Sequence, residues 1–130
     1  MPTTSALVIG GSLAGMCAAR VLSDVVDGVT IIEVHGRLDS STAKEFGERL
    51  LSLVQDGRNA IVIDLQNMAY ISSSGFHALL VAKRAAAQKQ GKLALCGIHG
   101  EVKRLFEIGA FTSEFLIYQS QAEGVGKLRQ

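Results

Sequence analysis

The run Ala60–Leu65 (AIVIDL) is apolar at nearly every position. A strand with one wet face alternates apolar and polar residues, whereas an unbroken apolar run belongs in a strand covered on both faces. Helices are the usual cover, so this segment by itself points to a layered α/β arrangement around a largely parallel sheet. The rest of the chain supplies the other parts. Ser5–Ile9 (SALVI), Val29–Val34 (VTIIEV), Met68–Ile71, Lys92–Cys96 (KLALC) and Phe115–Tyr118 (FLIY) read as further strands. Between them lie segments with helical periodicity.

The best-marked helix covers about 42–56. Phe46, Leu50, Leu53 and Val54 fall on one face, Asp39 and Ser40 offer N-caps, and Gly57 stops it. A second helix runs from Gly75 to about Gln90, with Phe76, Leu79, Leu80 and Lys83 on successive turns and Gly91 at its end. Shorter helices are predicted over 101–108 and 119–128, and another over 13–23, capped by Ser12 and ended near Asp24–Gly28. The expected fold is one α/β domain with a mostly parallel or mixed central sheet of about four to five strands. Residues 1–28 are expected to form an additional N-terminal βα unit packed on a main domain spanning 29–130.

Bulk properties narrow the function. With 130 residues and 48% apolar composition the chain fits one domain with an ample core. The net charge is +1 and the basic residues are scattered among acids, which speaks against a nucleic-acid face. Aromatics make up 5%, too few for stacking platforms. Cys17 and Cys96 sit in apolar runs, form no CxxC and read as buried reduced thiols. Residues 6–19 are apolar but lack a preceding Lys or Arg, Met16 separates the small residues from Cys17, and the stretch is too short and Gly-rich to span a bilayer. A cytoplasmic protein without a membrane partner is expected. His35, His77 and His99 lie in different elements without metal-ligand spacing, and no carboxylate pair suggests acid–base work, so neither a metal site nor an enzyme is expected.

The most informative local feature is Tyr70-Ile71-Ser72-Ser73-Ser74-Gly75-Phe76. Three hydroxyls stand between an apolar strand and an amphipathic helix, at a helix N-terminus whose free N–H groups and dipole favour negative charge. Two uses fit: simple capping, or acceptance of a phosphate carrying about −1.5 to −2 charges. A nucleophilic serine fits poorly, because the GxSxG elbow is missing and no acid is placed to orient His77.

From Val29 to about Val125 the chain resembles a STAS domain of the anti-sigma-factor-antagonist type. The resemblance rests on VTIIEVHGRLDSSTAKEF, IVIDLQNMAYISSSGFHALL, GKLALCGIHGEVKRLFEIGAF and FLIY, in that order, with Gly-x-Leu-Asp at Gly36–Asp39 and Tyr-Ile-x-Ser-Ser-Gly ending at Gly75. It implies a partner switch. The unmodified domain binds an anti-sigma factor that is also an ATP-dependent serine kinase; the kinase phosphorylates a serine at the helix start, the complex weakens, and a serine phosphatase resets it. Carried over, the phosphorylated residue is Ser73, with Ser74 as its neighbour, and the partner surface comprises Asp39, Ser72, Ser73, Ser74, Gly75 and Phe76. Many relatives have aspartate where this chain has Ser72, which removes one negative charge beside the site. The resemblance also admits a STAS subunit of another assembly, such as a lipid-transport complex, and either a monomer or a homodimer.

The first 28 residues resemble something else. ALVIGGSLAGMCAARVLSD is similar to the opening of FAD-dependent monooxygenases, with Gly10, Gly11, Ser12 and Gly15 placed to cradle a pyrophosphate and Glu33 to meet a ribose hydroxyl. After Glu33 no flavoprotein features continue, and the chain reads as a hybrid of the two resemblances. The alternative for residues 5–23 is an edge strand and packing helix without any cofactor, and no cofactor is the expectation.

Overall fold

The computed structural model describes residues 5–9 and 19–129, with side chains from Val25 onward. Strands β1 (Ser5–Ile9), β2 (Ala19–Val26) and β3 (Val29–Leu38) come first. They are followed by α1 (Ser40–Gln55), β4 (Ala60–Asp64), β5 (Met68–Ile71), α2 (Ser73–Gln88), β6 (Lys92–Cys96), α3 (Gly100–Ile108), β7 (Leu116–Tyr118) and α4 (Gln121–Leu128). The sheet has seven strands in the order β1-β2-β3-β4-β6-β7, with β5 added beside the far end of β3. β3, β4, β6 and β7 run parallel, while β1, β2 and β3 are antiparallel neighbours. The α/β class and mixed sheet agree with the sequence reading, but the sheet is larger than the four to five strands expected.

The period-2 geometry of strands sorts the core into two layers. Ile32 and Val34 of β3, Ile61 and Ile63 of β4, and Leu93 and Leu95 of β6 point to the face covered by α1, α2 and α3, where they meet Phe46, Leu50, Leu79 and Phe106. Ile31, Val62, Ala94 and Cys96 point to the other face and pack against Val125 and Leu128 of α4. This is why AIVIDL carries no polar alternation: both of its faces are dry. Each large side chain so buried contributes about 1.5–3 kcal/mol.

One element corrects the sequence reading. Residues 19–23 belong to strand β2, not to the helix predicted over 13–23. Asp27 (φ 53°) and Gly28 (φ 81°) form a tight turn between Val26 and Val29, which face each other across the hairpin. Positive φ at both central residues is the type I′ arrangement that matches strand twist, and Asp-Gly between β-branched residues is its sequence signal. The cofactor reading loses its geometry at the same point. A dinucleotide-binding βαβ unit needs adjacent parallel strands, whereas β3 is flanked on this side by antiparallel β2. Gly10, Gly11, Ser12, Gly15 and Cys17 lie outside the described residues.

Gly36 positions the site. It stands at φ 99° where β3 passes from one partner to the next: residues 30–33 pair with β4 and Gly36–Leu38 with β5, the β5 ladder shifting register between Gly36 and Arg37. The ends of β3 and β5 therefore lie side by side, Leu38 opposite Ile71, and each feeds directly into a helix.

Candidate functional site

The two helices that leave these strand ends begin together. Asp39 is the N-cap of α1 and Ser72 the N-cap of α2. The Ser72 backbone N–H donates to the Leu38 carbonyl at 2.9 Å, tying one helix start to the other. Asp39 Oδ1 accepts from the Ser41 N–H at 3.0 Å and the Ser41 hydroxyl at 2.6 Å, while the Asp39 N–H donates to Thr42 Oγ1 at 3.0 Å. The Ser41 hydroxyl, with backbone N–H donors behind it, holds the Asp39 carboxyl below its ordinary value, so it is ionised at neutral pH. Its charge is turned into the first turn of α1.

The three serines separate by role. Ser72 is half-buried, and its Oγ accepts from the Gly75 N–H at 3.3 Å, so this hydroxyl is committed to the cap. Ser73 and Ser74 follow in the first turn of α2 with exposed side chains. Gly75 is buried, and a Cβ there would come within 2.7 Å of Ile71 Cγ1 and 3.1 Å of the Leu38 carbonyl oxygen. Only glycine lets α2 start this close to the end of β3.

Phe76, expected on the partner surface, lies beneath it. It is 6% exposed and packs edge-on to Phe106 (centroids 4.7 Å apart) and stacked on Phe111 (4.2 Å). It anchors α2 to α3 through these ring contacts. Gly75 likewise shapes the surface from beneath it.

The sequence reading did not assemble the groove between α1 and α2. It has a volume of about 530 Å³ and opens at Ser40 and Ser73, continuing past Lys44, Glu48 and His77 to Leu51 and Val81. The helices touch where a Cβ on Gly47 would lie 3.2 Å from Ala78 Cβ. The signal on α1 was readable, since Ser40, Lys44, Glu48 and Leu51 recur at helical spacing. Which face of α2 it would oppose was not.

A second polar cluster lies on the α4 side of the sheet. The Gln121 amide Nε2 donates to Glu33 Oε2 and to Asp64 Oδ2, both at 2.7 Å, bridging two carboxylates that are register neighbours on β3 and β4. His35 lies 3.2 Å from Glu33 Oε1. Glu33, the acid once read toward a ribose, thus holds α4 against the sheet. Cys96 is a free thiol, as expected; burial, with Asp64 beside it, pushes it up to about 12. Among the described residues no group of His, Cys, Asp or Glu could hold a metal, and no helix is long and apolar enough to cross a membrane. His99 hydrogen-bonds the Gln66 carbonyl at 2.8 Å, and His77 alone of the histidines lies in the groove.

A mixed sheet whose parallel strands feed paired helices, with a serine turn at the start of one of them, defines a layered α/β domain. The STAS domain family model matches residues 20–124, and the chain belongs to the STAS family. BtrV of Bordetella bronchiseptica, a candidate anti-sigma factor antagonist, is 32% identical over 102 residues, covering 78% of this chain and 88% of BtrV. A candidate anti-sigma factor antagonist from Thermotoga maritima, solved by crystallography, superposes with a TM-score of 0.78 at 20% identity, over 83% of this chain and 93% of that one. The Bacillus cell fate determinant SpoIIAA in its phosphorylated form gives 0.62 at 15% identity, over 79% and 93%.

Proposed function

We propose that this chain is an anti-sigma factor antagonist that works as a partner switch, binding an anti-sigma factor with serine kinase activity when Ser73 is free and releasing it when Ser73 is phosphorylated. The observation that carries the reading is the division of labour in the serine turn. Ser72 is held by its capping bond, while Ser73 presents an exposed hydroxyl beside the Asp39 cap. A kinase can reach Ser73 without unfolding the helix start. The modification places about −1.5 to −2 charges at the centre of the surface formed by the two helix starts. The similarity to BtrV and to a phosphorylated SpoIIAA supports the same reading. The role is one of binding, and a phosphatase acting on Ser73 closes the cycle.

The test pairs two variants. Candidate serine-kinase partners are incubated with the protein and ATP, phosphate is mapped by mass spectrometry, and binding is measured by calorimetry. Phosphate is expected on Ser73, with Ser73→Ala retaining affinity and Ser73→Asp losing it by at least tenfold. Equal affinities for the two variants overturn the switch.

A further inference from the structure

We infer that the α1/α2 groove contains an intramolecular phosphate receptor, in which Lys44, aided by His77, draws a phosphate on Ser73 into the groove and closes it. The inference rests on the proposed modification of Ser73 and specifies where the phosphate goes.

The geometry follows from the point where the helices touch. α1 and α2 run side by side in the same sense, from Ser40 and Ser73 at one end of the groove to Leu51 and Val81 at the other. Gly47 and Ala78 face each other in contact between them. Lys44 precedes Gly47 by three residues, about 4.5 Å along α1, and Ser73 precedes Ala78 by five, about 7.5 Å along α2. The two therefore stand at nearly the same level, on opposite walls of one groove. Helical side chains lean toward their own N-terminus, so the Lys44 stem leans toward the level of Ser73. His77, one turn after Ser73, leans back over it in the same way.

The surrounding charges give the phosphate a direction. Asp39, at the mouth, is ionised and repels it, and its Oδ1 is held by Ser41. Glu48 lines the groove a full turn further in than Lys44. Lys44 has no ion pair among the described residues, and His77 no hydrogen-bond partner among them. The cation that lines the groove is thus an unpaired ammonium on the wall opposite Ser73, carried on a flexible stem. A phosphate seated there covers the apolar floor at Ala43 and Ala78, so phosphorylation changes the shape of this face as well as its charge.

Phosphoserine is installed at position 73 of the full chain by genetic encoding, and its second ionisation is followed by phosphorus NMR in the parent, Lys44→Ala, His77→Gln and, as a distant control, Lys127→Ala. Free phosphoserine ionises near about 6. With an ammonium within about 4 Å the value is expected to fall to about 5–5.5 and to climb back by about half a unit or more in Lys44→Ala, less in His77→Gln and not in Lys127→Ala. A value unmoved by Lys44→Ala overturns the receptor. Since no kinase is involved, that failure leaves the switch untouched, and equal partner affinities of the Ser73 variants sink the switch without bearing on the receptor.

Discussion

The backbone N–H of Ser72 donates to the carbonyl of Leu38 at 2.9 Å, and this bond joins the cap of α2 to the residue preceding the cap of α1. Through it the serine turn is held against a second helix start, not left as the end of a solitary helix.

Ser72 and its neighbours should separate in stability measurements. Ser72→Ala removes the acceptor for the Gly75 N–H and is expected to cost about 1 kcal/mol. Ser73→Ala and Ser74→Ala remove exposed hydroxyls and should stay within about 0.5 kcal/mol of the parent. Urea denaturation of the three variants checks the order; a Ser73→Ala loss as large as that of Ser72→Ala would contradict it.

Gly75→Ala tests the close start of α2. The added methyl meets Ile71 Cγ1, which can turn away, and the Leu38 carbonyl oxygen, which cannot. A loss of about 1–3 kcal/mol is expected, the usual range for overpacking. Gly126→Ala in α4, where a Cβ has open space, serves as the control and should be neutral or stabilising.

Gln121→Glu probes the docking of α4. The substitution replaces a double donor with a third carboxyl facing Glu33 and Asp64. The cost is expected to be about 1–3 kcal/mol at pH 7, easing as the pH falls and the introduced carboxyl takes up a proton. Thermal unfolding at pH 5 and pH 7 gives the comparison; a deficit that does not shrink at pH 5 counts against the carboxylate bridge.

Cys96 ties stability to alkaline pH. Its folded value, about 12, lies above the ordinary thiol value of 9.0, so the unfolded chain releases this proton first. The contribution is fully present below about pH 9 and is lost progressively as pH rises through the window toward 12. In a Cys17→Ser background, Cys96 should react with a thiol reagent at pH 8 only as fast as the protein opens. Cys96→Ala should show a shallower fall in stability between pH 9 and pH 11.

Much of the fold was legible because its signals are local. AIVIDL declared a strand with two dry faces, Asp39 declared a helix start, and the order of motifs from Val29 to Val125 carried the family. β2 was missed because its small, mixed residues were read together with the glycines before them, although Asp27-Gly28 between valines already marked a hairpin. Phe76 came to the partner surface with the family resemblance, which carries over a stretch of sequence but not which of its side chains a neighbouring helix covers.

The site divides along the same line. The sequence by itself determined that three serines open an amphipathic helix, since capping preference and helical periodicity act over a few residues. Tertiary structure decided which hydroxyl is committed and which are exposed. It also set Lys44 and His77 on facing walls of one groove, buried Phe76 against Phe106 and Phe111, and drew Glu33 and Asp64 onto Gln121. Those outcomes depend on β3 changing partner from β4 to β5 at Gly36, and on elements far apart in the chain arriving at the same place. Local propensity carries no record of such meetings.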